Sequence, residues 1–443
     1  MNITHELATR IVESQPTATA RERARAGLLD FIAVTLPVLR GETADSGLAA
    51  LQSVCFARDS QTRALLLGYA GHALDFDDFH PDFRGHPGTV ILPALLAFAG
   101  EHPCTPDAFL DACVTGVETA GRLGLAAGQR HYQQGFHNTA TLGTLAAAAA
   151  MARLSGASVI QTEILLGIAA TQASGLRAQF GSAVKPLHAG LAAQAAVFAT
   201  KLALAGFDGQ RQGVIDGFLA ACCAGSDPDR LVAQWGAPWR IEVPGLEFKP
   251  YATCSGTHSA ADAARQLRER WLASHASSHP LAEAVVRIEV AFPPGGDIAA
   301  AIRQPANGIE ARFSLEYVIA SCLLYDGVAL EDVAEGPVNP EIAALAARVE
   351  RCPDPSAPPD EHDPSARFHE VRLFFADGQS SGSRVTRQQS LSKPVDLVKK
   401  LQSCLAGASV AERQHIVALC ELRTQDALSG LIKLLDERLR PLH

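Results

Sequence analysis

"FHEVRLFFADGQSSGSRVT", residues 368–386, is the stretch that decides the fold class. Apolar and polar side chains alternate on both sides of a glycine-containing turn, which is the pattern of two paired strands. "EAVVRIEVAF" (283–292) alternates in the same way. Nearly everything else in the chain is spaced for helices.

Upstream, "RERARAGLLDFIAVTLPVL", "VILPALLAFAGE", "PDAFLDACVTGVETAGRLGLAAG", "NTATLGTLAAAAAMARLSG", "VIQTEILLGIAATQASGL" and "LHAGLAAQAAVFATKLALAG" repeat apolar residues at helical intervals, each bounded by Gly, Pro, Asn or Ser. Between the strand-like stretches lie helical candidates at "RFSLEYVIASCLLYDG" and "NPEIAALAARVE" and a Pro-rich loop, "CPDPSAPPDEHDPSARF", expected at the surface. Downstream, "PVDLVKKLQSCLAG", "SVAERQHIVALCEL" and "ALSGLIKLLDERL" are helical again. This order predicts a mainly α protein: a large all-helical domain formed by both chain ends, residues 1–246 and 392–443, with a smaller α+β domain, residues 247–391, inserted into it. A cleft between two such domains is a favoured place for a small-molecule site.

The 443 residues include 19% charged and 47% hydrophobic side chains, a globular composition, and carry a formal net charge of −9. That balance disfavours a nucleic-acid partner. The N-terminal segment lacks a basic head followed by an apolar run, so no signal peptide is expected. The Ala- and Gly-rich stretches fall short of a span of about 20 strongly apolar residues, so they are expected as buried helices rather than membrane spans. Ten scattered cysteines without paired spacing suit small buried hydrophobes in a cytoplasmic protein. Among 38 basic residues only seven are lysines, which makes each lysine worth following, because its pKa is tunable where arginine's is not.

Polar groups concentrate in a few places. "GHALDFDDFHPDFRGHPG" (71–88) holds His72, Asp75, Asp77, Asp78, His80, Asp82, Arg84 and His86. A metal hydrolase could be built on His72, Asp75, His80 and His86, yet the spacing matches no closed metal site. An Asp beside an imidazole suits proton transfer better. Asp77, Asp78 and Asp82 are expected as caps and loop polarity. Further candidates are His137 in "GFHNTATLGT", Lys185 and His188 in "FGSAVKPLHAG", Lys249, Tyr251, Ser255, Thr257 and His258 in "LEFKPYATCSGTHSAADAARQL", and Arg312 and Tyr317 in "ARFSLEYVIASCLL". The Glu361-His362-Asp363 run resembles part of a metal-phosphohydrolase signature but sits in the Pro-rich loop. No cofactor motif is present: no GxGxxG after a strand, no P-loop, no HExxH and no GxSxG.

The stretch "GYAGHALDFDDFHPDFRGHPGTVILPALLA" resembles the signature of the MmgE/PrpD family, and "GFHNTATLGTLAAAAA", "KPLHAGLAAQAA", "KPYATCSGTHSAADAA" and "RFSLEYVIASCLLYDG" follow in the order that resemblance requires. It implies a helical domain with an inserted α+β domain, a homodimer, and a site between the domains that works without cofactor or metal at a hydrogen α to a carboxylate. Family site positions then fall on Asp75, His86, His137, Lys185, Lys249 and Tyr317. In the resulting assignment His86 and His137 move protons, Asp75 orients an imidazole, and Lys249 and Tyr317 complete the catalytic set. Lys185, Arg84, His72 and Ser255 bind a small polycarboxylate. Members that dehydrate or decarboxylate commonly carry Thr where this chain has Phe79. That departure favours an epimerase acting on a substrate such as iminodisuccinate, the alternative being a lyase of the 2-methylcitrate dehydratase or cis-aconitate decarboxylase type.

Overall fold

Small residues decide how the helices meet. In the computed structural model, which describes residues 2–55, 58–274, 280–360, 363 and 366–439, the helices Ser60–His72 and Val184–Leu204 touch backbone to backbone. A Cβ at Gly68 would stand 2.8 Å from Gly190 Cα, and one at Gly190 would stand 2.3 Å from Leu65 O. Gly88–Ala99, Thr141–Ser155 and Val159–Gln172 pack around Val184–Leu204. By length and composition Val184–Leu204 could cross a membrane; its Ala-rich face is buried against these helices, while Val184, Leu191, Phe198 and Leu204 lie exposed along the other.

The C-terminal helices Leu397–Cys404 and Val410–Cys420 return to pack on Ala18–Leu39. Lys400 Nζ donates to Asp30 Oδ1 at 2.6 Å with both side chains buried. The two chain ends therefore build one helical body, and the chain is mainly α with a small α+β part.

The sheet contains β1 (Val285–Ala291), β2 (Val349–Arg351), β3 (Phe368–Phe375) and β4 (Ser380–Thr386) in the order β2-β1-β3-β4. The hairpin expected from residues 368–386 is present, with Phe368 opposite Thr386 and Phe374 opposite Ser380. Val371 and Leu373 are buried while Arg372 between them is exposed, so the period-2 pattern is the inward and outward face of β3. The helix His258–Ser274 covers β3 and β4 and packs on Leu315–Tyr325. β1 is antiparallel to β3 and parallel to β2.

Two local expectations are corrected. The helix expected through "NPEIAALAARVE" stops at Ala346, and Val349–Arg351 pairs with β1 instead. A three-residue strand is too short to show alternation. The helix expected to end at Gly128 runs on to Gln133, through a break at Gly128 with φ 67° and ψ −168°. The Pro-rich loop lies at the surface as expected, tied down where buried Asp360 pairs with Arg367. Glu361 and His362 lie outside the described residues.

Candidate active site

The helix Ser60–His72 ends at the polar stretch, and Asp75 turns the chain in the left-handed region at φ 50°. Such a conformation is uncommon for residues other than glycine, although Asp tolerates it better than most. Arg312 anchors the turn by donating to Ala73 O and, at 2.7 Å, to Val333 O. Phe79 and Glu247 exchange backbone hydrogen bonds of 2.9 and 2.8 Å, which brings the segment bearing Lys249 alongside.

Two buried lysines converge on Asp75. Lys249 Nζ donates to Asp75 Oδ1 at 2.9 Å and to its carbonyl at 2.6 Å. Lys185 Nζ, from the first turn of Val184–Leu204, donates to the same Oδ1 at 3.0 Å and meets His72 Nε2 at 2.8 Å. Behind them, Lys400 donates to Phe76 O at 2.7 Å and so fixes the loop between Asp75 and Asp77. Burial opposes ionisation of Asp75, yet the ammoniums of Lys185 and Lys249 hold its carboxyl well below the usual range. Burial pulls Lys185 below the ordinary lysine value, with Asp75 opposing and Lys249 adding to the effect. For Lys249 the carboxylates of Asp75 and Asp77 outweigh burial and raise it.

The hydrogen bonds assign the imidazole tautomers. His72 Nε2 accepts from Lys185, so Nδ1 carries the hydrogen and donates to Asp77 at 2.9 Å. His86 Nδ1 faces Asp78 O at 2.7 Å, and a carbonyl only accepts. Its Nε2 is therefore the lone-pair nitrogen, 4.0 Å from Asp75 Oδ1. His137 Nδ1 and His188 Nδ1 share one hydrogen at 3.1 Å, which leaves His137 Nε2 for a ligand. The His72 ring lies 4.7 Å from that of His86 and 5.9 Å from that of His137.

These rings are buried and neutral. Burial pushes His86 down to about 3, and pushes His258 and His369 down to about 3 as well. An unfolded imidazole takes up a proton near pH 6.5, whereas these do so only near pH 3. Below pH 6.5 the unfolded chain therefore binds more protons, and stability is lost as pH falls. The loss is about 1.4 kcal/mol per pH unit for each such histidine. Urea unfolding is expected to show a lower midpoint at pH 5.5 than at pH 7.5; equal midpoints would contradict neutral burial.

A cavity of about 500 Å³ opens onto this cluster, lined by Asp75, His86, His137, Lys185 and Lys249 together with Phe79, Arg84 and Ser255. Ligand atoms of His72, Asp75, Asp77 and His86 lie within 4.8 Å of one another, close enough to hold a metal ion. The ammoniums of Lys185 and Lys249 already occupy hydrogen-bonding positions on that cluster, and two ammoniums balance its two carboxylates. A divalent ion added there would face both at short range. The donor set therefore suits lysine better than metal.

Of the residues expected from sequence, Asp75, His86, His137, Lys185, Lys249, Arg84 and Ser255 line the cavity, and His72 supports it from behind. Tyr317 stands apart from these. It is not among the described residues lining the cavity, because its hydroxyl donates to Asp332 O and accepts from Asn339 N, both at 3.1 Å. Its work there is to hold a loop. His80 is also turned away, contacting Arg240 O at 3.0 Å. Asp77, expected as loop polarity, is instead the partner of His72 and lies 3.4 Å from His86 Nδ1. Asp78 does cap, accepting from Gly88 N at 3.0 Å.

The chain is similar to known proteins over most of its length. The MmgE/PrpD N-terminal domain matches residues 5–231 and the MmgE/PrpD C-terminal domain matches residues 251–423. The chain is 31% identical over 332 residues to a cis-aconitate decarboxylase of Mus musculus and 30% identical to that of Homo sapiens. Each match covers 72% of this chain and 66% of the relative, just under two thirds of its length. A cis-aconitate decarboxylase of Aspergillus terreus is 28% identical over 394 residues, covering 82% of this chain and 78% of that protein. These relatives are lyases, the class set second to an epimerase in the sequence reading. With both domain models matched in order over most of its length, the chain belongs to the MmgE/PrpD family.

Proposed function

We propose that the protein is a lyase that uses its own side chains at a carbon α to a carboxylate in a small polycarboxylic acid, and that its reaction is decarboxylation of a cis-aconitate-like acid. The observation that carries this reading is Asp75 bridging two buried lysines in the same cavity as two neutral imidazoles. The similarity to cis-aconitate decarboxylases supports the reaction type.

The chemistry follows from charge. When the bond to a departing carboxylate breaks, CO₂ leaves neutral and the electron pair stays on the carbon skeleton. Preorganised positive charge must meet that pair and a proton must then reach carbon. Lys185 and Lys249 supply the charge and hold the remaining carboxylates. In the free cavity the imidazoles are neutral, but a bound polyanion adds negative charge beside them and favours imidazolium. Binding thus creates the acid that the reaction needs, with His86 Nε2 and His137 Nε2 as the transferring atoms.

A second reading, epimerisation, is favoured by Phe79. Its ring lines the cavity edge-on to His86 with centroids 5.7 Å apart, and it offers no hydroxyl to a leaving group. Removing and returning one proton needs no such donor. Purified enzyme, dialysed against chelator, is expected to release CO₂ from cis-aconitate. If cis-aconitate persists while iminodisuccinate changes configuration with its skeleton intact, the epimerase reading replaces the lyase.

A further inference from the structure

The positive charges around the cavity are paired, with one exception. Lys185 and Lys249 both pair with Asp75, Arg367 with Asp360, Arg387 with Glu247 and Arg230 with Asp227. Arg84 lines the same cavity, and among the described residues its guanidinium has no hydrogen-bond or ion-pair partner. Burial works against its charge; Asp360 attracts it while Arg367 and Arg387 repel it.

Its backbone is strained as well. Arg84 sits in the left-handed region at φ 52°, where Gly or Asn is usual. The loop carrying it lies directly on the helix Pro106–Gln133: a Cβ at Gly124 would stand 2.1 Å from Asp82 O. Four residues on, the helix breaks at Gly128, and the next residue, Gln129, also lines the cavity with a buried Oε1 that has no partner among the described residues. A strained loop that presents an uncompensated cation, beside a helix break that presents an unsatisfied amide, fits a ligand better than it fits packing.

We propose that Arg84, with Gln129 lining the same cavity, is a second carboxylate subsite that reads the end of the substrate away from the lysine pair and sets a preference for tricarboxylates over dicarboxylates. This rests on the polycarboxylate reading above. Arg84 is a specificity residue and takes no part in proton transfer. The guanidinium fork matches a carboxylate in two parallel hydrogen bonds, and the Gln129 amide can turn its N–H₂ towards an anion in the cavity.

The test is calorimetric binding of propane-1,2,3-tricarboxylate and of succinate at one ionic strength to wild type, Arg84→Asn and Arg84→Lys. Asn suits the left-handed backbone, and Arg84→Gly serves equally if Asn does not fold. Wild type is expected to bind the tricarboxylate at least 10-fold tighter than succinate. Arg84→Asn or Arg84→Gly is expected to erase at least 10-fold of that ratio, and Arg84→Lys to keep part of it. A ratio unchanged by removing the guanidinium overturns the subsite and leaves the polycarboxylate reading intact. Wild type that binds neither acid overturns both.

Discussion

Asp75→Asn is expected to lower kcat/KM by about 10³-fold and to destabilise the fold by about 3–5 kcal/mol. One carboxylate oxygen of Asp75 accepts from two ammoniums that are otherwise buried. Asparagine keeps the shape and removes the charge. Lys185 and Lys249 would then repel each other with little access to water, and each would relax towards its neutral form. Positive charge would be lost where a substrate carboxylate must dock. The effect has an internal control, because Asp75→Asn/Lys185→Met buries one fewer unpaired ammonium and is expected to be more stable than Asp75→Asn alone. Unfolding midpoints of both variants and steady-state kinetics of Asp75→Asn check this. Near-wild-type stability and rate in Asp75→Asn would remove Asp75 from the centre of the site.

His86→Ala and His137→Ala are each expected to reduce kcat by about 10²–10⁴-fold. KM should change less, since the lysines carry most of the binding. The two rings present different nitrogens for the same reason: each Nδ1 is engaged, His86 by Asp78 O and His137 by His188, so each Nε2 remains. Loss of either removes a group placed to bring the proton that the carbon skeleton must receive. His188→Ala should reduce kcat less than His137→Ala, because it releases the His137 ring without removing it. Full turnover in both His86→Ala and His137→Ala would show that the protons move elsewhere.

The sequence was most legible where a pattern is local. The hairpin of β3 and β4 shows in a period of two, and the helices in a period of 3.6 with glycine punctuation. β2 was hidden because three residues carry no period, and its place was written by a partner strand some sixty residues away. The crowding of titratable groups in residues 71–88 marked the site, but not which acids serve it. Asp77 reaches His72 only because Asp75 turns left-handed, and no spacing rule contains that turn. Lys400 could not be found at all: its partners Asp30 and Phe76 lie more than three hundred positions away in the chain. Tyr317 is the reverse case, a residue with the right chemistry whose hydroxyl is hydrogen-bonded to a loop.

The central claim is that this cavity protonates a carbon α to a carboxylate with lysine, histidine and aspartate alone. Chelator-treated enzyme should be incubated with cis-aconitate in D₂O and followed by proton NMR. The account predicts loss of cis-aconitate signals and a product that has shed CO₂ and carries deuterium on carbon. Unchanged spectra for cis-aconitate and for succinate-, citrate- and imino-linked polycarboxylates, with no carbon-bound hydrogen exchanged, would contradict it.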